Sequence, residues 1–186
     1  MLRRLASPAL AAALVWLLGG CSAGAWLPRR NAGPTGLLSA TSRQEPALSG
    51  QGRWLASVVE RGGRATLLLQ EQPSGRVVPL RHFQNHQPHS SPSLSWNGRY
   101  VAALVQQGNQ RLPQIEDRAT GAVHRLPLPA DRTAVRLSLA PEGRRLAVQV
   151  AQAGQWRVQL FDLSTLLEPD LPGGIALQGG GLGTTP

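Results

Sequence analysis

Three histidines fall close together in His82-Phe-Gln-Asn-His86-Gln-Pro-His89, and imidazoles at that density can hold zinc or copper. Two features weigh against it. His86 and His89 flank Pro88 in a stretch of loop composition, and neither cysteine nor carboxylate stands beside them in the regular spacing of metal sites. The expectation is no metal, with His82, His86 and His89 as the candidate ligands and a plain linker as the other reading of the segment. The acids Glu71, Asp117 and Asp162 recur at matched positions, each three residues before a hydroxyl, Ser74, Thr120 and Thr165. Short polar side chains so placed brace the backbone of a turn. There is no nucleophile elbow, no phosphate-cradling glycine loop leading into a helix, and no converging pair of carboxylates of the kind glycoside cleavage needs. No catalytic residue and no cofactor are therefore expected.

The elements that would carry these residues come from an internal repeat. Pro46-Ala-Leu-Ser-Gly-Gln-Gly-Arg-Trp-Leu-Ala56, Pro92-Ser-Leu-Ser-Trp-Asn-Gly-Arg-Tyr-Val-Ala102 and Leu137-Ser-Leu-Ala-Pro-Glu-Gly-Arg-Arg-Leu-Ala147 spell one phrase three times, with turn glycines 46 and then 45 residues apart. That period belongs to solenoids and propellers. Each unit reads as about four short strands bounded by Gly, Pro, Asn and Ser, and Asn97-Gly98 is a strong hairpin signal. In the third unit a fourth strand is doubtful, because Glu168-Pro169-Asp170 and Pro172 are poor strand material. The fold class is all-β: a propeller-like array of about three four-stranded antiparallel blades, a partial propeller. Trp54, Leu55, Val58, Val59, Tyr100, Val101, Leu104, Val105, Leu146, Val148 and Val150 are the expected core. Trp96 and Trp156 are expected to pack beside their turns, and Arg53, Arg99 and Arg144 to be exposed turn residues.

Ahead of the repeats, Arg3 and Arg4 precede an apolar run from Leu5 to Leu18 that ends in Gly19-Gly20-Cys21. The run is shorter than the about 20 residues a membrane-spanning helix needs and has the layout of a secretory signal. Cys21 is the only cysteine, so it has no disulfide partner within the chain. Leu18-Gly19-Gly20-Cys21 resembles the bacterial lipobox, in which the thiol is linked to diacylglycerol before cleavage. Ser22, following the cysteine where aspartate favours inner-membrane retention, points to the outer membrane by the same resemblance. The expected organisation is a lipoprotein signal peptide over 1–20, a lipidated flexible tether over 21–44, repeats over 45–168 and a glycine-rich disordered tail over 169–186.

Leu139-Ala-Pro-Glu-Gly-Arg144 and Leu94-Ser-Trp-Asn-Gly-Arg99, with a looser copy in Leu48-Ser-Gly-Gln-Gly-Arg53, resemble the TolB-type propeller repeat. Its units read approximately Pro-x-Trp-Ser-Pro-Asp-Gly-Lys-x-Ile-Ala-Phe and lead to a strand ending in an acid. The resemblance covers residues 45 to 168 and implies four-stranded blades around a channel in a periplasmic, partner-binding protein. Leucine replaces the repeat tryptophan, a lipobox is present, the separate N-terminal domain is lacking, and three repeats stand where closure takes at least four. The pattern looks most like that of small cyanobacterial TolB-like lipoproteins. Three blades leave open edges that invite pairing; a monomeric open array is expected, with a dimeric six-bladed ring as the alternative.

All 19 basic residues are arginine, against 10 acids, for a formal net charge of +9. Behind a secretory signal, nucleic acid is not an expected partner. Arginine suits bidentate contact with phosphate or carboxylate, so the expected partner is an envelope protein or an anionic glycan or lipid surface. The expected function is that of a non-enzymatic, lipid-anchored binding or scaffold protein on the periplasmic side of the cell envelope. The alternatives are an enzyme acting on envelope polysaccharide and a metal-handling protein working through the histidine loop.

Overall fold

In the computed structural model the described residues are 42–83 and 87–172. They form three antiparallel sheets in chain order. The first holds β1 (Arg43–Leu48), β2 (Trp54–Arg61), β3 (Arg64–Glu71) and β4 (Val77–Val78), and the second β5 (His89–Leu94), β6 (Tyr100–Gln107), β7 (Gln110–Asp117) and β8 (Val123–Arg125). The third has only β9 (Thr133–Leu139), β10 (Arg145–Gln152) and β11 (Gln155–Asp162), with β10 in the middle. The all-β partial propeller read from the repeat is thus the fold, with two four-stranded blades and one of three. Its start lies two residues before the expected 45, at Arg43. Its end lies beyond 168, for Asp170 is 5% exposed and its backbone N–H donates to Glu142 O at 2.9 Å.

Each blade has two faces, and alternation along the strands assigns residues to them. The leading face of blade 1, Trp54, Ala56, Leu67 and Leu69, packs on the trailing face of blade 2, Leu94, Val101, Ala103 and Val105. The leading face of blade 2, Tyr100, Ala102, Leu104 and Ile115, packs in turn on Leu137, Leu139, Leu146, Val148 and Val150 of blade 3. Burying each such side chain is worth about 1.5–3 kcal/mol, so the two seams carry most of the cohesion between blades. The central blade shows it in sequence. Tyr100–Val105 is apolar at every position and buried at every position, whereas Arg145-Leu-Ala-Val-Gln-Val150 alternates and is fully buried only at Leu146, Val148 and Val150. Ten of the eleven expected core residues are buried; Leu55 is half-exposed.

The turn glycines serve both the hairpin and the seam. Gly98 (φ +69°) and Gly143 (φ +80°) lie in the left-handed region, and a Cβ there would sit 2.4 Å from Trp54 Cδ1 and 2.7 Å from Tyr100 Cδ2 respectively. The aromatic that opens the second strand of blades 1 and 2, Trp54 or Tyr100, rests on the turn glycine of the next blade.

Candidate interaction surface

The chemistry-bearing residues do not converge. Cys21 and His86 lie outside the described residues. His89, on β5, is 2% exposed; its Nδ1 accepts the Leu67 backbone N–H at 3.1 Å and its ring meets Phe83 edge-on at 5.4 Å. His82 donates from Nε2 to Gly121 O at 2.8 Å and from its backbone N–H to Glu116 at 2.7 Å. These two imidazoles hold the crossover between blades 1 and 2 in place. Among the described residues no three His, Cys, Asp or Glu side chains are grouped to hold a metal ion.

The repeated acids are braces. Arg53 grips one oxygen of Glu71 at 2.7 and 3.1 Å while Arg76 grips the other at the same distances, and Arg99 spans both oxygens of Asp117 at 2.9 and 3.1 Å. Hydrogen bonds from Arg53 and then Arg76 hold the Glu71 carboxyl below its ordinary range. At Asp117 burial pushes upward, but the Arg99 guanidinium and the Ala119 N–H together outweigh it and leave the group lowered. Asp162 is lowered by its bonds to Ser164. Arg99 is a correction to the exposed-turn expectation: its side chain is 24% exposed because a second acid, Glu168, also claims it at 2.7 Å.

Because folding lowers the Glu71 and Asp117 pKa values, the unfolded chain takes up protons first as pH falls. Their contribution is therefore complete above the ordinary carboxylate pKa of about 4 and is lost below it. Replacing Asp117 with Asn is expected to lower stability at neutral pH and to flatten the acid limb. Urea midpoints measured at a series of acid pH values check this; an unchanged acid slope would refute the brace.

What the fold leaves open is the end of the array. Trp156, Val158 and Leu160 on β11 are 64%, 67% and 74% exposed. In the repeat Val158 and Leu160 stand where Leu67 and Leu69, then Pro113 and Ile115, stand in the earlier blades, and all four of those are buried. The expected packing of Trp156 does not occur: it stands at the β10–β11 hairpin end of a face that no further blade covers among the described residues. Trp96 does pack, its ring lying against Gly50. On the same leading face, β10 contributes Ala147 and Gln149 opposite Leu160 and Val158, and β9 contributes Arg136 and Ser138.

The outer edge of blade 3 is open for a separate reason. In blades 1 and 2 the chain leaves the acid-bearing turn and returns as β4 or β8. After Asp162 it instead buries Leu163 and Leu167 against the second seam. It then crosses to blade 2, where Asp170 accepts from Ser95 Oγ, from the Asn97 backbone N–H at 2.9 Å and from Asn97 Nδ2 at 2.9 Å. Among the described residues no strand covers the outer edge of β11.

The inner strands show the same unfinished step. Glu45 on β1 accepts the backbone N–H of Ser91 on β5, and Ser91 Oγ accepts Leu137 N–H on β9 at 2.8 Å, each reaching 46 residues ahead to the next blade. Arg136 holds the aligned place in blade 3 and is exposed. The three positions and their neighbours line a cleft of about 300 Å³ where the inner strands converge.

Three stacked antiparallel blades joined leading face to trailing face define, among the described residues, an incomplete β-propeller. Among solved structures the chain is similar to TolB from Acinetobacter baumannii, at 16% identity and a TM-score of 0.53 over 68% of this chain and 31% of that one. A putative TolB from Agrobacterium tumefaciens gives 17%, 0.54, 66% and 46%. The β-propeller domain of the Trilobed protease from Pyrococcus furiosus gives 12%, 0.52, 67% and 40%. At these identities the likeness is one of fold, and the chain spans less than half the length of each. No family profile and no curated protein sequence matches it.

Proposed function

We propose that this chain is a non-enzymatic binding module of the bacterial cell envelope, held to a membrane through a lipid on Cys21 and facing the periplasm. The observation that carries the binding role is the exposed leading face of blade 3, where Val158 and Leu160 stand at positions the first two blades bury. The carboxylates a polysaccharide-cleaving enzyme would use support the non-catalytic reading, since Glu71 and Asp117 are tied into arginine clamps. The arginine excess suits a domain working beside anionic head groups. Behind a single acyl pair, each buried methylene adds about 0.8 kcal/mol of membrane affinity, enough to keep the module at the bilayer while its blades search for a partner.

The anchor is tested by labelling with an alkyne fatty acid and fractionating cells. The full chain should take up label and sediment with membranes, and Cys21→Ala should lose both. A labelled Cys21→Ala chain, or an unlabelled wild type in the soluble fraction, would refute it.

A further inference from the structure

The internal repeat says what should lie on blade 3. Twice within the chain a leading face is covered, and both times by the apolar trailing face of an antiparallel sheet, Leu94, Val101, Ala103 and Val105 or Leu137, Leu139, Leu146, Val148 and Val150. Twice, too, an inner-strand side chain reaches forward to a polar group on that sheet. Blade 3 offers the Trp156, Val158 and Leu160 stripe and, at the sequence position aligned with Glu45 and Ser91, an arginine, Arg136, that pairs with Gln149 in the ladder on that same face. A guanidinium only donates hydrogen bonds, so whatever completes the step must supply acceptors.

We propose that the leading face of blade 3 docks the apolar face of an antiparallel β-sheet of a different envelope protein, one that sets a carboxylate against Arg136. This rests on the binding-module reading and adds the structural class and charge of the partner. A second copy is the poorer fit on two counts. Closing a ring head to tail requires the trailing face of blade 1, and on that face Ser57, Val59, Thr66 and Leu68 are already buried. Packing two leading faces together would bring Arg136 and Arg145 of each, with only Asp162 to balance them, onto a chain of net charge +9. The chain's own continuation is committed to blade 2 as far as Leu171, whose carbonyl accepts from Asn97 Nδ2 at 3.1 Å. A sheet, rather than a helix or a glycan, fits the occupant, because flat apolar stripes at alternate residues of a strand match the pleat of another sheet about 10 Å away.

The test places a benzophenone amino acid at Val158 of the full-length chain in the cells that make it. Parallel chains carry it at Arg157, exposed on the opposite side of β11, and at Glu60 in blade 1. Irradiation should give an adduct with one other protein from position 158 and not from 157. Mass spectrometry of the joined peptides should place the bond on an apolar β-strand face with Asp or Glu nearby. Adding Arg136→Glu should lower the yield about tenfold or more, the loss expected when one partner of a buried charge pair is reversed. Circular dichroism verifies that the labelled chains keep their fold. An adduct between two copies, a bond to residues 173–186 of the same chain, a lipid or glycan adduct, or silence at 158 would each overturn the proposal. If 158 is silent while 60 captures a protein, this assignment fails and the binding module stands. Silence at all three positions would sink both.

Discussion

Tyr100→Ala is expected to destabilise the protein by about 3–5 kcal/mol, the range for removing a buried aromatic. The ring is 0% exposed and sits in the seam between blades 2 and 3 among Ala102, Leu104, Leu137 and Leu146. The turn at Gly143 wraps over its edge and cannot follow it inward. Tyr100→Phe should cost far less, about 1 kcal/mol for the hydrogen bond its hydroxyl donates to Glu168 O at 2.9 Å. Gly143→Ala approaches the same contact from the other side. It forces a Cβ into the left-handed region, at about 1–2 kcal/mol, and against the ring, at about 1–3 kcal/mol more. The decisive measurement is the double mutant, by urea unfolding. With the ring already gone the steric part of the Gly143→Ala penalty should vanish, so the two changes should cost less together than their sum. Strict additivity would mean that the aromatic and the glycine are not the coupled pair that joins successive blades.

That coupling is also why so much of the fold was legible in the sequence. A turn glycine, the arginine after it and the apolar residues of the following strand recur as a set because each blade reuses one seam, and the strand order within a blade follows from hairpin connections alone. The incomplete third blade was visible in Pro169 and Pro172, which cannot donate to a ladder. The long-range pairings were not visible. Arg99 looks like any turn arginine until strands β6 and β7 lie side by side and bring Asp117, 18 residues on, beneath it. Val158 and Leu160 carry the same apolar character as their buried counterparts Leu67 and Leu69, and they are exposed because no further blade covers them among the described residues. One signal was available and unused: Arg145 and Gln149 interrupt β10 on its leading face, where Trp54, Val58, Tyr100 and Leu104 stand in the earlier blades. A repeat whose last copy turns polar on one face and stays apolar on the neighbouring strand marks a surface that is neither core nor ordinary exterior.

Asp170→Ala is expected to have a second large effect, although proline and glycine surround that residue in sequence and nothing in its neighbourhood reads as structure. Its carboxylate serves the β5–β6 turn of blade 2 as a shared acceptor: Ser95 Oγ, the Asn97 backbone and the Asn97 side chain all donate to it, with Arg99 N–H more distant at 3.4 Å. Ser95 is 0% exposed and Asp170 5%, so removing the acceptor strands buried donors, at about 1–3 kcal/mol for each. Ser95 Oγ in turn accepts the Tyr100 N–H at 2.9 Å, which ties the loss to the strand that carries the seam. A total of about 3–5 kcal/mol is therefore expected, far above the about 0–1 kcal/mol of a surface ion pair. Glu168→Ala supplies that comparison within the same segment, since the Glu168 side chain is 76% exposed while pairing with Arg99. Urea midpoints of the two variants should separate widely. If they shift alike, the segment after β11 is held by its leucines and not by Asp170. A chain ending at Leu167 should then be as stable as the wild type, whereas on the present geometry it should lose as much as Asp170→Ala.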